Sequence, residues 1–328
     1  MDKLHVERIL CPVDFSDFSR RALAYAAGLT RHFGSHLFIQ HVAQSPAHPY
    51  LERVEPQAVR QEIQAQLQTA HEEIRKMQVL AGIDPSEVTV LLNEGDIPEW
   101  IRSAISKERI DLLVMGTHGH RGFRHLVLGS VAENVIHQAL CPVLVVSHPV
   151  GDFTEAGRIN TILLATDFST HSDRALAHAL KWGYEWSSKV VLFHAVQEIP
   201  AAMQGLTDLF PEYNPYFERQ VAAAWERIRH LIPEAAQERF EIIFEVRQGN
   251  PTVEISRVAE EKGADLIIMG ARGMERSAVP WGSVRATVAQ NPQAAEALYK
   301  SYLPWGSVSS AVVRDGRFPV LVVRELEG

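Results

Sequence analysis

The residues best suited to chemistry lie in one run, Gly116-Thr117-His118-Gly119-His120-Arg121-Gly122-Phe123-Arg124-His125-Leu126-Val127-Leu128-Gly129-Ser130-Val131, directly after an apolar segment that ends in Met115. Gly116 and Gly119 can take backbone angles that cost other residues energy, and they leave room for a phosphate to approach the main chain. Gly129 and Ser130 stand where the next helix is expected to begin. There the free N–H groups, the positive end of the helix dipole and the Ser130 hydroxyl can face an anion together. This is chemistry for holding phosphates without a Walker lysine. Arg121 and Arg124 can either reach phosphate oxygens or remain solvated. His118, His120 and His125 suggest a metal, but no His-x3-His or Cys-x2-Cys set recurs, and ligand spacing within a glycine loop is poorly fixed. No nucleophile, base and orienting group assemble around Asp14 at the end of the first apolar run, so no catalytic residue is assigned.

These residues need a scaffold, and the chain supplies it twice. Ile9-Leu10-Cys11-Pro12-Val13-Asp14-Phe15-Ser16 returns as Ile162-Leu163-Leu164-Ala165-Thr166-Asp167-Phe168-Ser169, and His41 returns as His194 at the same offset of 153. Asp111 to Gly116 returns as Asp265 to Gly270 at 154, and Pro142 to Val146 as Pro319 to Val323 at 177. The jump in offset places about 23 extra residues between the fourth and fifth strands of the second copy. Repeats of this length make two domains: residues 1–148 and 159–328, joined by a linker at 149–158, with an insertion at about 281–304. A chain of 328 residues accommodates two such cores.

In the first half, apolar runs at about 8–13, 36–42, 87–92, 110–115 and 143–147 alternate with helical segments. Such continuous runs are typical of strands buried on both faces, hence of a parallel sheet under helices. Ser19 is placed to cap the first helix, whose buried stripe is Ala22, Leu23, Ala26, Ala27 and Leu29. A longer helix runs from Pro56 to Ala81 with Gly82 as its stop, and Pro98 fits a first turn ahead of Trp100, Ile101 and Ile105. The fold class is therefore α/β: two tandem doubly wound domains, each with a five-stranded parallel sheet. Ligands bind such sheets beyond the carboxyl ends of the strands, where strand order reverses. The loops after Val13, Val42 and Met115 are the candidates.

Gly-two-Gly-nine-Gly-Ser after a strand ending in Met, with Val13-Asp14 after strand one and His41-Val42 after strand two, resembles the ATP-binding signature of universal stress proteins. The resemblance covers nearly the whole chain, in two copies. It implies an adenine nucleotide alpha hydrolase-like fold and a bound adenine nucleotide, ATP with or without Mg. Pro12, Val13 and Asp14 would form the first wall, with Asp14 on the ribose. The Val42 backbone would read the adenine edge, and Met115 would pack on the nucleoside. Gly116, Gly119, Gly129, Ser130 and Val131 would wrap the phosphates. In the family, domains pair through the edge of the last strand, which makes Val143–Val146 and Val320–Val323 matched candidates for a pseudo-dimer within one chain, with a homodimer left open.

The second copy departs from this pattern. Asp167, Met269, Gly270 and Gly273 keep their places, while Ala195 stands where the first half has Val42. The expected Gly-Ser appears twice, as Pro280-Trp281-Gly282-Ser283-Val284 and as Pro304-Trp305-Gly306-Ser307-Val308. Gly282-Ser283 is one residue short of the family spacing, whereas Gly306-Ser307 aligns without gaps through the last helix and strand. Either pair could complete the second phosphate loop.

Bulk composition narrows the function classes. A formal charge of -8 argues against non-specific nucleic-acid binding. No apolar stretch approaches the roughly 18 residues of a membrane span. The first residues show no signal peptide, and the two cysteines, Cys11 and Cys141, are too few for a disulfide framework and read as buried thiols. The expectation is a cytoplasmic, ATP-binding stress-response or signalling module that acts through unidentified protein partners. An ATPase or adenylyl-transfer enzyme of the same superfamily and a nucleotide-free interaction scaffold are the alternatives.

Overall fold

The computed structural model describes residues 4–43, 56–117, 130–147, 158–197, 214–232, 237, 241–271 and 307–324. The chain divides into two compact units, Leu4–Arg158 with Val313–Leu321, and Ile159–Val312 with Val322–Glu325.

The first half runs β1 (Arg8–Pro12), α1 (Asp17–Phe33), β2 (His36–Ala43), α2 (Pro56–Leu80), β3 (Val88–Glu94), α3 (Ile97–Lys107), β4 (Leu112–Gly116), α4 (Ser130–Gln138) and β5 (Val143–Val146). Its strands lie in the order β3-β2-β1-β4-β5. Pairing is parallel, with Ile9 opposite Leu37 and Leu112, and Val114 opposite Leu144. The second half repeats the series as β6 (Thr161–Ala165), α5 (Thr170–Trp186), β7 (Lys189–Val196), α6 (Asn214–His230), β8 (Ile242–Gln248), α7 (Pro251–Lys262), β9 (Leu266–Gly270), α8 (Ser307–Asp315) and β10 (Val320–Val323). Its order is β10-β9-β6-β7-β8, the same arrangement. This is the doubly wound parallel fold expected from the sequence. Burial explains the apolar runs: Ile9, Leu10 and Cys11 of β1 and Ile162, Leu163 and Leu164 of β6 are fully covered, because helices pack on both faces.

Polar residues fasten the strand ends in both copies. Asp111 accepts from the backbone N–H of Glu7 and Arg8 at 2.9 Å, and Asp265 accepts from those of Asn160 and Thr161 at 2.7 and 3.0 Å. The cap of α1 is Ser16, not Ser19. The Ser16 hydroxyl accepts the Ser19 N–H at 3.2 Å, while Ser19 is buried inside the first turn and donates to the Ser16 carbonyl. Ser169 caps α5 in the same way. The helix starts earlier than the apolar stripe suggests, with Asp17 exposed and Phe18 half-buried in its first turn. Pro98 does lie in the first turn of α3, behind an Asp96 cap. Both cysteines are buried free thiols, and burial raises their pKa, that of Cys141 to about 12.

Candidate functional site

In each sheet the order reverses at the first strand, β1 between β2 and β4, and β6 between β7 and β9. Ligand-binding crevices of such sheets open at this point. What stands there is one arrangement built twice.

Directly after β1 the Val13 N–H donates to the Gln40 carbonyl of β2 at 2.8 Å. Asp14 then turns its carboxylate back onto its own loop, where Oδ1 accepts the Ser16 N–H at 3.1 Å and the Ser16 hydroxyl at 2.6 Å. Phe15 follows with φ of 66°, a left-handed conformation that a bulky side chain rarely adopts. Its ring lies 4.7 Å from that of His41, and His41 Nδ1 donates to the Val13 carbonyl at 2.8 Å. In the second half Phe168 has φ of 63°, its ring lies 4.3 Å from His194, and His194 Nδ1 donates to the Thr166 carbonyl at 2.8 Å. Asp167 Oδ1 accepts the Ser169 N–H and hydroxyl, at 3.0 and 2.6 Å, and also the Ser172 hydroxyl. Burial holds the His194 pKa below its ordinary value, with the Thr166 carbonyl and Asp167 acting in the opposite direction. Strain of this kind costs on the order of 1 kcal/mol and persists where its surroundings over-determine it.

The second strand contributes backbone. Alternate residues of β2 address opposite neighbours: the Gln40 carbonyl meets Val13 on the β1 side, and the Ala43 carbonyl accepts the Gly95 N–H on the β3 side. By the same alternation the N–H and C=O of Val42 point to the β1 side, but β1 has already ended at Pro12. One donor and one acceptor are therefore presented together above the end of β1. In the second half the Phe193 carbonyl accepts from Thr166 and the Val196 carbonyl accepts from Gly249, so Ala195 occupies the equivalent position. The loss of the valine side chain leaves this pair of backbone groups in place.

The fourth strand of each half brings its methionine, Met115 in the first and Met269 in the second, to the carboxyl end of that half's strands, and each is buried. At Gly116 packing alone already requires glycine. A Cβ there would lie 2.9 Å from the Phe18 carbonyl carbon and 3.0 Å from Phe18 Cβ. The missing side chain lets the start of α1 pass over the end of β4. Gly119 and Gly129 lie outside the described residues, as do Gly273, Gly282, Ser283 and Gly306. Ser130 opens α4, with Val131 half-buried behind it, and Ser307 opens α8 at the matching position of the second half. The described residues thus unite Pro12, Val13, Asp14, Val42, Met115 and Gly116 at one strand end, and Asp167, Ala195, Met269 and Gly270 at the other half's equivalent. The sequence reading missed the role of Phe15 and Phe168. Their signal was present, because Asp-Phe-Ser is one of the few identical triplets in the two copies.

Two doubly wound domains, each with a carboxylate loop and an open strand edge at the switch point, define the class. The universal stress protein family model matches residues 5–147 and again 158–294, and the chain belongs to that family. It is 31% identical over 144 residues to a universal stress protein of Methanocaldococcus jannaschii, covering 44% of this chain and 83% of that one. It is 36% identical over 138 residues to one of Thermus aquaticus, covering 42% of this chain and 96% of the other. Along its whole length it shares the fold of a universal stress protein from Archaeoglobus fulgidus, with a TM-score of 0.65, 21% identity and coverage of 99% and 98% of the two chains.

Proposed function

We propose that the first half binds an adenine nucleotide, and that this stress-response protein works as a nucleotide-dependent module rather than as a catalyst of group transfer. The observation that carries the reading is the pairing of the free-standing Val42 N–H and C=O with the Asp14 carboxylate at the open end of β1. An adenine edge offers an amino donor beside a ring nitrogen acceptor, which complements one strand donor and one strand acceptor. A carboxylate one strand away suits ribose hydroxyls, the use to which dinucleotide-binding folds put theirs. Met115 supplies a buried, polarisable surface for the base. Ser130, at the start of α4, adds a helix N-terminus on the phosphate side.

These residues fit a nucleoside, so Asp14 and Val42 would hold and orient it, with Gly116 allowing α1 to close behind. ATP supplies the phosphates whose presence or absence would bias the glycine loop and, through it, a protein partner. The Asp14 carboxylate accepts the Ser16 hydroxyl at 2.6 Å, a bond that ties the loop to the cap of α1 and suits holding a ligand.

The test is denaturation of the purified full-length protein, with and without prior ATP, followed by chromatographic identification and counting of released nucleotide. Adenine nucleotide bound by the wild type and lost from the first site in Asp14→Ala is the expected result. Protein that carries none even after incubation with ATP would refute the reading in favour of an interaction scaffold.

A further inference from the structure

The two halves differ at one place next to this strand end. The helices α2 and α6 align at an offset of 154, where buried Ala70 and Ile74 of the first match buried Ala224 and Ile228 of the second. On that alignment Glu73 of α2 corresponds to Arg227 of α6. Glu73 is engaged within its own half, at 2.8 Å from Lys76 and 3.7 Å from Arg20. Arg227 is exposed, and its guanidinium carbon stands 4.2 Å over the ring of Phe168. Among the described residues it forms no ion pair. Phe168 in turn lies against His194 in a tilted arrangement, so guanidinium and imidazole both contact the ring on the loop that carries Asp167.

A guanidinium held over a ring in this way keeps its charge and has no carboxylate partner among the described residues. An arginine held in this way has already lost much of its side-chain freedom, so less entropy is lost when its planar fork meets an oxyanion. His194 donates to the Thr166 carbonyl, and burial holds its pKa below the ordinary value, with the Arg227 charge acting in the same direction. The first half offers a carboxylate at the corresponding position.

We infer that Arg227 is a specificity-determining residue that recognises a phosphate group of a nucleotide bound at the second half, an anion-binding contact that the first half lacks. The inference rests on the nucleotide reading above and extends it to the second strand end. It gives the second half a preference for phosphorylated over unphosphorylated nucleosides that does not depend on which of the two Gly-Ser pairs serves its phosphate loop.

The experiment is calorimetric titration of the full-length Asp14→Ala chain, in which the second site is read alone, with ATP and with adenosine. Arg227→Ala is expected to weaken ATP binding by about tenfold or more and to leave adenosine within about twofold, as befits loss of a charge-assisted hydrogen bond. Arg227→Lys restores part of the ATP affinity, because it keeps the charge and loses the fork. Should Arg227→Ala lower the thermal midpoint, Arg227→Gln decides the matter by removing the charge from a planar group. Equal loss of ATP and adenosine would overturn the inference and make the contact of Arg227 with Phe168 a structural strut, and unchanged ATP affinity would overturn it as well. Asp14→Ala chain that binds no ATP, while the wild type binds one, would also overturn it yet leave the first-half reading intact. Failure of the wild type to bind ATP at all would refute both.

Discussion

Phe15 and Phe168 hold left-handed backbone where glycine would be expected, and each is matched to a histidine that bonds the carbonyl two residues before it in the loop. A strained residue maintained in both copies fixes where the neighbouring aspartate stands. Gly116 shows a second form of precision at single residues. An added Cβ would meet Phe18 backbone at 2.9 Å, which no side-chain rotation relieves. Gly116→Ala is therefore expected to destabilise the chain by about 1–3 kcal/mol, read as a lower urea midpoint, whether or not nucleotide is present. A purely phosphate-related glycine would give a loss of affinity with unchanged stability. His178 supplies a pH dependence. It replaces the position of Tyr25 in the repeat, its Nδ1 is buried without a partner among the described residues, and burial lowers its pKa from 6.5 to about 4. The folded state therefore binds fewer protons than the unfolded state between those values. Stability present above about pH 6.5 is lost as pH falls toward 4, on the order of 3 kcal/mol in total. His178→Tyr is expected to flatten that part of the pH–stability curve, and an unchanged curve would assign the acid sensitivity elsewhere. Asp14, Val42 and Met115 were legible because strand ends follow from hydrophobic runs. The left-handed phenylalanines were not, since no residue preference announces them, and Ser19 was mistaken for Ser16 because two serines three apart both satisfy a capping pattern.

At the scale of elements, the same corner between an edge strand and the following helix is built in two ways. In the first half β3 and α3 meet through Asn93 and Trp100, with the Gln40 amide donating to the Asn93 side chain at 2.9 Å and to the Trp100 carbonyl at 3.2 Å. At the matching positions of β8 and α7 stand Arg247 and Glu254. Arg247 reaches Glu245 at 2.9 Å, Glu261 at 2.6 Å and Glu254 at 3.8 Å, while Lys262 pairs with Glu245 and Arg257 with Glu254. The Glu254 side chain is only 8% exposed, so its charge relies on these partners. Arg247→Met is expected to cost about 3 kcal/mol by breaking its contacts to Glu245, Glu254 and Glu261 together, whereas Arg257→Ala, which removes a single contact from the exposed rim, is expected to cost less than about 1 kcal/mol. Urea denaturation of the two full-length variants separates a network centred on Arg247 from a set of independent surface pairs. The alternation of strands and helices was legible in both halves because their apolar runs are continuous. Which polar solution each corner adopts was not, because a charged residue on an edge strand reads in sequence as a solvated face, and the partners lie on another element.

For the whole molecule the decisive quantity is charge. The chain carries a formal -8, so an anionic ligand approaches against a repulsive field that salt screens. Two nucleotide sites that differ in charge, with Glu73 against Arg227, would answer salt in opposite senses. At the first, added salt relieves long-range repulsion and leaves or raises ATP affinity. At the second, it also weakens the local attraction of the Arg227 guanidinium, and affinity falls. The expected outcome for the wild type is two nucleotides released per chain, one lost in Asp14→Ala and the other in Asp167→Ala. Titrations of those two variants over a range of sodium chloride should then give slopes of different sign. A single nucleotide that vanishes with Asp14→Ala would restrict binding to the first half. Two nucleotides with identical salt slopes would leave the sites duplicated in charge response as well as in fold, and the substitution of Arg227 for Glu73 would then carry no consequence for the ligand.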